Sequence, residues 1–383
     1  MNEQKLIESS GKSLFIQNRG IPKGCELCLK GAKTVLFLNG ICQLPDHCSW
    51  YCPISEERRG HIDTYANEIK ITKKNELLEE IKTADSEGIS ITGGEPLNEV
   101  NLEKTLDYIR FVKKTLGKKF HVHLYTNSMN FSPIIANNLE EVGLDEIRFH
   151  PPPDKWDFIK YALNTNMVVG AELPLIPEKD YIQNLKKFIL YLDSIGTSFI
   201  NLNEFEYCFP NSARLKERGF ILEQGTIASV EGSKKMGENL IKDLLPSTSL
   251  KIHFCKIITK DFYQLKNRYF RRAKYIKKPY EEITEEGLLL HAEISGDKKN
   301  VSKFISFLKL KTKIPSKLIE IDQEIVKLPY YLVIDKLFSK ILDKYDLEAN
   351  IIEKTPFREP KYQQITEKTP LNIFKEEYEF YED

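Results

Sequence analysis

The 383-residue sequence lacks several features that mark specialised classes of protein. No stretch approaches the roughly 18 consecutive apolar residues of a membrane span, and the N-terminal residues 1–5 open no signal-peptide apolar core. Lysine plus arginine number 56, as do aspartate plus glutamate, so the net charge gives no argument for nucleic acid or membrane partners. These absences predict a soluble, cytoplasmic protein with no membrane association.

Cysteine is scarce and unevenly placed. There are seven cysteines, an odd number, and Cys42, Cys48 and Cys52 lie close together directly after an apolar run. Clustered thiols in odd number favour metal chemistry in a reducing compartment over disulfides. Three thiolates on one loop can hold an iron-sulfur cluster and leave one iron without a protein ligand. The alternatives are a zinc site short of one ligand, or three reduced thiols.

A second motif follows the cysteine loop. Residues 88–92 have the β-branched pattern of a short strand, and this strand runs into Gly93, Gly94, Glu95 and Pro96. Glycines at a strand end let the backbone approach a ligand, proline fixes the turn, and a glutamate carboxylate suits an ammonium group. This motif favours the iron-sulfur interpretation of the cysteines.

The two motifs, in this order, resemble the radical S-adenosylmethionine (radical SAM) superfamily. The resemblance implies that Cys42, Cys48 and Cys52 hold a 4Fe-4S cluster. It also implies that the turn at 93–96 binds the methionine amino group of SAM. One-electron cleavage of SAM then gives methionine and a 5'-deoxyadenosyl radical that abstracts hydrogen from a substrate. Such an oxidoreductase takes its electron from a donor such as ferredoxin or flavodoxin.

The spacing of the cysteines departs from the commonest pattern of that family, C-x3-C-x2-C, because the gaps here are five and three residues long. Family members with widened gaps exist, and a longer loop costs little entropy, so we expect the cluster to form. His47 lies in the first gap and is an alternative ligand. A solvated or hydrogen-bonding role for its imidazole is favoured.

Short β-rich segments alternate with helix-patterned segments, which predicts repeated βα units and a parallel sheet. The strands are predicted at 34–41, 88–92, 119–126, 145–150, 167–173 and 198–205, and helices at 75–87, 102–116 and 180–195. Six such units match the partial (βα)6 barrel of the radical SAM core. The predicted domains are an N-terminal segment with a CxxC pair at 1–33, the core barrel at 34–245, a basic helix with a small C-terminal α+β domain at 246–352, and a flexible tail at 353–383.

Polar residues at the predicted strand ends are candidates for the SAM pocket, because chemistry in parallel barrels lies at the C-terminal ends of the strands. Asn127 follows the third strand, Glu172 lies on the fifth, and Asn201 and Asn203 lie on the sixth. The period-two rule places the two asparagines on one face, which would be the barrel interior. We predict that all four residues line the pocket, with loop capping or mutual pairing as the alternative for each.

The four remaining cysteines suggest a second metal site. Cys25 and Cys28 have the spacing of a zinc or cluster half-site, while Cys208 and Cys255 follow or end predicted strands. If the four thiols meet, they form a zinc site or a second Fe-S cluster. If they do not meet, isolated thiols behave as small buried hydrophobes.

The segments 24–33, 92–97, 121–126, 144–150 and 201–206 resemble more closely a largely archaeal group of radical SAM proteins related to pyruvate formate-lyase activating enzyme. That resemblance continues to about residue 275 and implies SAM cleavage, but it leaves the substrate open between a macromolecule and a small molecule. Activation of a partner protein by glycyl-radical formation is one alternative.

A non-catalytic Fe-S or zinc protein that binds RNA is an alternative of a different class. It rests on residues 256–278, which interleave basic and aromatic side chains. A solvated amphipathic helix that packs its aromatic side chains inward is the simpler interpretation of this segment.

Overall fold

In a computed structural model of the chain, residues 5–43 and 47–382 are described, the last five of them by their backbone alone. The chain divides into a first unit, Met1–Lys82 with Ser86–Leu265, and a second unit, Thr83–Asp85 with Lys266–Asp383. None of the helices in the described ranges combines the length and apolar character that crossing a membrane requires.

The first unit is built on an eleven-stranded sheet. Its strands are β1 (Leu6–Glu8), β2 (Leu14–Ile16), β3 (Lys33–Phe37), β4 (Thr64–Ala66), β5 (Ile69–Ile71), β6 (Gly88–Thr92), β7 (His121–Thr126), β8 (Glu146–Phe149), β9 (Val168–Leu175), β10 (Phe199–Glu204) and β11 (Lys251–Cys255). Their spatial order is β1-β2-β11-β10-β9-β8-β7-β6-β3-β4-β5. The run from β11 to β3 is parallel throughout, and β2 and β4 pair with its two ends in antiparallel fashion.

The helices of this unit are α1 (Lys23–Leu29), α2 (Lys74–Thr83), α3 (Leu102–Leu116), α4 (Pro133–Glu141), α5 (Lys179–Ser194), α6 (Ser212–Glu217) and α7 (Ser233–Leu244), with a 3-10 segment at Pro153–Asn164 and a π turn at Thr259–Gln264. Helix α3 shows why such segments are helical, since its buried Leu106, Ile109 and Val112 recur at the three-residue spacing of one helix face. Helix α4 begins at Pro133, where the hydroxyl of Ser132 accepts a hydrogen bond from the amide of Ile135 at 3.3 Å.

This architecture confirms the predicted α/β partial barrel with a small C-terminal appendage. All six predicted strands and all three predicted helices are present, with ends that differ by a few residues. A seventh parallel strand, β11, pairs with β10, so the first unit extends to Leu265 and does not end at the predicted residue 245.

The second unit is a small α+β domain. Its elements are α8 (Leu265–Ile276), β12 (Glu282–Ile283), β13 (Leu289–Gly296), α9 (Lys298–Lys311), a 3-10 turn (Ser316–Leu318), β14 (Glu320–Asp322), β15 (Ile325–Leu328), α10 (Tyr330–Val333), α11 (Lys336–Tyr345), β16 (Leu347–Lys354), β17 (Ile365–Pro370) and α12 (Leu371–Glu382). The antiparallel sheet has the order β14-β15-β13-β16-β17, with β12 paired to β13. The succession β13-α9-β14-β15-α11-β16 in that order is a ferredoxin-like βαββαβ arrangement.

These elements bear on two predictions for the C-terminal part of the chain, the flexible tail and the basic aromatic helix. The segment 353–383, predicted to be a flexible tail, contributes β17, which pairs with β16, and α12; Leu371 is buried in the core of the second unit. In α8, the guanidinium carbon of Arg272 lies 4.2 Å from the ring centroid of Phe357, and Tyr269 contacts the same ring. Part of the basic aromatic helix therefore faces its own unit, while RNA binding stays a prediction.

Candidate active site

A cavity of about 310 Å³ lies in the first unit, where the C-terminal ends of the parallel strands meet. Its walls include Cys42, Cys48 and Cys52 from the loop after β3. Residues from the other strand ends complete the lining, among them Gly93, Gly94, Glu95, Pro96, Asn127, Glu172, Asn203 and Lys260. The structure thus brings the cysteine loop, the Gly-Gly-Glu-Pro turn and most of the predicted polar residues to one place.

The turn after β6 holds the start of the cysteine loop by backbone hydrogen bonds. The amide of Gly94 donates to the carbonyl of Asn39 at 2.8 Å, and the amide of Glu95 donates to the carbonyl of Ile41 at 2.9 Å. A side chain at Gly94 would overlap the Ile41 carbonyl and bring its Cβ to 2.8 Å from the amide nitrogen of Cys42. Glycine is needed here because two backbones approach each other closely.

Two buried asparagines fix the same junction. Asn39 and Asn101 exchange two side-chain hydrogen bonds, of 2.6 and 3.0 Å, and the amide group of Asn101 also donates to the carbonyl of Glu95 at 2.9 Å. Neither residue could be recognised as part of the site from the sequence. Their signal in the sequence is weak, because a single asparagine after a strand or before a helix is equally typical of a turn or a cap.

Glu95 is buried, and its carboxylate accepts hydrogen bonds from three groups of the protein. One oxygen accepts hydrogen bonds from the amide of Leu97 at 2.9 Å and the hydroxyl of Thr126 at 2.8 Å, and the other accepts from the amide of Asn127 at 2.7 Å. Burial raises the pKa of Glu95 to about 7, although these hydrogen bonds favour the ionised form. The carboxylate therefore joins the end of β6 to the end of β7.

This pKa predicts a pH dependence of stability. Because the carboxyl of Glu95 holds its proton more tightly when folded, its contribution is complete below pH 4.5 and is lost as the pH rises to about 7. The difference between the folded and unfolded pKa values of Glu95 corresponds to about 3 kcal/mol of unfolding free energy. Urea unfolding of Glu95→Gln at matched cluster content should show a shallower fall of the unfolding free energy over this pH range than the unsubstituted protein. Equal slopes would contradict the assignment.

Glu172 and Asn203 form the polar wall of the cavity. The amide group of Asn203 donates to one carboxylate oxygen of Glu172 at 2.8 Å, and Arg148 donates to the other at 2.5 Å. Asn201 is buried beneath them and donates to the side-chain oxygen of Asn203 at 3.3 Å. The two asparagines thus share a face, but only Asn203 is among the residues that line the cavity.

A second cavity of about 260 Å³ adjoins the first and shares Tyr51, His150 and Leu173 with it. Its other lining residues include the aromatic side chains of Trp50, Trp156, Tyr181 and Phe188. The hydroxyl of Tyr51 and Nε2 of His150 are 2.8 Å apart, and burial lowers the pKa of His150 to about 3. His47 lines this second cavity and lies edge-on to His150, with ring centroids 5.1 Å apart. Residues 44–46 of the widened gap lie outside the described residues.

The other four cysteines are distributed over several elements. Cys25 and Cys28 lie on α1, and Cys255 ends β11, where Gln264 approaches its sulfur to 3.6 Å. Burial raises the pKa of Cys255 to about 12 and that of Cys208 to about 11. After burial, Glu206 is the next cause of the raised pKa of Cys208, and Cys52 adds to it. The shared second site stays a prediction.

Within residues 5–43 and 47–382, no three His, Cys, Asp or Glu side chains stand close enough to hold one metal ion. The ligands of a cubane bind different iron atoms, so three thiols around a cavity are the arrangement that a cluster needs. The donor set, three cysteine thiols that line one cavity, fits a 4Fe-4S cluster with one iron left for another ligand.

Fold and site together define an iron-sulfur protein built on a partial α/β barrel. Residues 30–142 match the family profile of a 4Fe-4S single cluster domain. A Methanocaldococcus jannaschii protein, named "putative glycyl-radical enzyme activating enzyme", is 37% identical over 292 residues, which cover 73% of this chain and 75% of that protein. The chain belongs to the radical SAM superfamily. It is an enzyme of that class, and its cofactors are a 4Fe-4S cluster and SAM.

Two solved structures are distantly similar to the chain. A radical SAM methyltransferase from Kitasatospora setae, solved with tryptophan and a SAM analogue, has a TM-score of 0.33 at 10% identity, over 48% of this chain and 38% of its own. A 7,8-dihydropteroate synthase from Vibrio fischeri has a TM-score of 0.27 at 16% identity, over 34% of this chain and 56% of its own. Neither likeness carries weight for the function.

Proposed function

We propose that the larger cavity binds the cluster through Cys42, Cys48 and Cys52 and binds SAM beside it, and that the enzyme uses them to remove a hydrogen atom from a substrate. The observation that carries this proposal is the meeting of three thiols and the Gly-Gly-Glu-Pro turn in one cavity. When bound, the reduced cluster supplies one electron that splits SAM into methionine and a 5'-deoxyadenosyl radical, which takes hydrogen from the substrate.

Different residues of the chain bind different parts of SAM in this proposal. Because the carboxylate of Glu95 is already bonded to three donors, the carbonyl oxygens of Gly93 and Gly94, which accept no hydrogen bond from the described residues, are the acceptors for the methionine ammonium group. Glu172 and Asn203 present a carboxylate and an amide to the rest of the ligand. A ferredoxin or flavodoxin is the proposed electron donor.

Anaerobic reconstitution with iron and sulfide tests this proposal. The chain should bind about four iron atoms and, with dithionite, convert SAM to 5'-deoxyadenosine. Cys48→Ala should lose both the cluster absorbance and this cleavage, whereas Cys208→Ala, which removes a thiol that is not among the lining residues of the cavity, should keep both. A reconstituted protein that never releases 5'-deoxyadenosine, even with strong reductant, would falsify the proposed reaction.

A second candidate for the substrate is a glycine residue of a partner protein. It rests on the name of the relative that is 37% identical to this chain. Incubation of the reduced enzyme and SAM with a glycyl-radical enzyme from the same genome should give a doublet in the electron paramagnetic resonance spectrum and backbone cleavage on exposure to oxygen. One molecule of 5'-deoxyadenosine should form for each radical. Deoxyadenosine without a protein radical would point to another substrate.

A further inference from the structure

A directed chain of hydrogen bonds runs under the polar wall of the cavity. A carboxylate only accepts hydrogen bonds, so the NH2 group of Asn203 must face Glu172, at 2.8 Å. The amide oxygen of Asn203 then accepts from the NH2 group of Asn201 at 3.3 Å. The oxygen of Asn201 in turn faces Nδ1 of His253 at 2.6 Å, which must therefore carry the proton. The orientation of each amide is fixed by its neighbour.

His253 has no other described hydrogen bond that competes with this one. It lies on β11 beside Asn201 of β10, is 1% exposed, and has a pKa that burial lowers to about 3. The imidazole is therefore neutral, and its single proton is on Nδ1 as long as Asn201 keeps its orientation. His253 is not among the residues that line the cavity. Any effect that it has on a ligand must pass through the two asparagines.

Arg148 holds the other oxygen of Glu172 from the opposite side. It donates to Glu172 at 2.5 Å and, through Nε, to Glu146 at 2.7 Å, so it bridges a carboxylate at the cavity wall and a carboxylate deep in the barrel. Glu146 is 1% exposed and also accepts from the amide of Gly24 in α1 at 3.0 Å. Burial opposes the ionisation of Glu146, but Arg148 and the neighbouring donors keep its pKa well below its usual range.

Each carboxylate oxygen of Glu172 accepts one hydrogen bond, from Asn203 or from Arg148. The remaining lone pairs of Glu172 can accept hydrogen bonds from a ligand in the cavity. A carboxylate fixed in this way is an acceptor for hydroxyl donors, and a pair of adjacent hydroxyl groups is the ribose feature that an acidic residue recognises in nucleotide sites. SAM carries such a pair. This step rests on the proposed function, because it requires SAM to occupy the larger cavity.

We propose that Arg148 and His253 are positioning residues, which hold Glu172 and Asn203 from the two ends of one hydrogen-bonded chain in the orientation that binds the ribose hydroxyls of SAM. Neither residue touches the ligand. Each acts through the side chain that it orients.

Equilibrium binding of SAM to the anaerobically reconstituted, oxidised enzyme tests the proposal. Removing a hydrogen bond to a charged group costs about 10- to 100-fold, so Arg148→Lys should weaken SAM binding by a factor in this range. His253 donates to the neutral amide of Asn201, and losing such a bond costs less, so His253→Phe should weaken SAM binding about 2- to 10-fold. His253→Asn keeps a donor near the position of Nδ1 and should restore most of the affinity. Combining Arg148→Lys with Glu172→Gln should cost little beyond Glu172→Gln alone, because Arg148 acts through this carboxylate.

Two controls separate positioning from general damage. Lys113→Met breaks a pair with Asp145, at 2.5 Å, whose members do not line the cavity, and it should lower the melting temperature without changing SAM affinity. Binding of methionine alone, which lacks the ribose, should be equal in Arg148→Lys and the unsubstituted enzyme.

Three results would overturn the inference: unchanged SAM affinity in folded Arg148→Lys and His253→Phe, a loss in Arg148→Lys that adds fully to that of Glu172→Gln, or an equal loss of methionine binding. If the unsubstituted enzyme binds its cluster but not SAM, the proposed function itself fails. The titration of the unsubstituted enzyme with SAM reveals that failure before any variant is compared.

Discussion

Gly94→Ala is expected to abolish cluster binding. The Cβ atom would overlap the carbonyl of Ile41 and approach the amide nitrogen of Cys42 to 2.8 Å, and the atoms it meets belong to the backbone and cannot rotate away. Either the turn after β6 or the loop that carries the cysteines must move. Movement breaks the bonds from Gly94 to Asn39 and from Glu95 to Ile41, which hold the loop at the cavity. We expect reconstituted Gly94→Ala to bind less than a tenth of the iron of the unsubstituted chain, which corresponds to about 1.4 kcal/mol or more.

Gly117→Ala provides the matched control for this substitution. Gly117 has a φ of 90°, so alanine there meets backbone strain, but nothing lies within 4 Å of the added atom. That variant should lose about 1 kcal/mol of stability and keep its iron. Iron and sulfide analysis, with circular dichroism to establish folding, compares the two. A folded Gly94→Ala that binds iron as well as Gly117→Ala would show that the close backbone approach does not control the cluster loop.

The elements that could be predicted from the sequence are those whose signals are local. Buried β-branched runs such as 88–92 and helices such as 102–116 specify their own structure, because alternation and helical periodicity are properties of neighbouring residues. The cysteine loop and the Gly-Gly-Glu-Pro turn also lie on short segments. Their meeting in one cavity follows from the parallel order of β3 and β6.

What could not be predicted depends on contacts between distant segments. The strand β17 forms because its backbone pairs with β16, a partner that its own composition does not reveal. The hydrogen bonds of Glu95 could not be predicted for a similar reason, since its carboxylate is bonded to Thr126 and Asn127 of a neighbouring strand end. An acidic residue in a ligand motif favours direct contact with the ligand when only the sequence is known, and that contact stays a prediction for Glu95.

The buried charges of the second unit could not be paired from the sequence either. Glu281 is 0% exposed and accepts a hydrogen bond from the amide of Lys278 at 2.8 Å and from Arg358 at 2.9 Å, and its carboxylate lies 3.0 Å from Nζ of Lys354. Burial opposes its ionisation, but Arg358 and the other partners hold the pKa of Glu281 at about 2. Glu281 thus links Lys354 of β16 with Arg358, which follows that strand, and with Lys278, which precedes β12.

Glu281→Gln is expected to destabilise the second unit by about 3 to 5 kcal/mol, because removing one member of a buried ion group leaves the partner charges without compensation. Hydrogen exchange at the amides of β13 and β16 measures this loss in the second unit itself. The contribution of the carboxylate is present above pH 4.5 and lost as the pH falls towards 2, so the difference between the two proteins should shrink in acid. Glu324→Gln, which removes an exposed partner of Lys298 at 3.4 Å, should change exchange by less than about 1 kcal/mol. If Glu281→Gln is as stable as Glu324→Gln, the prediction is wrong, and Lys354 and Arg358 become hydrated when their partner is removed.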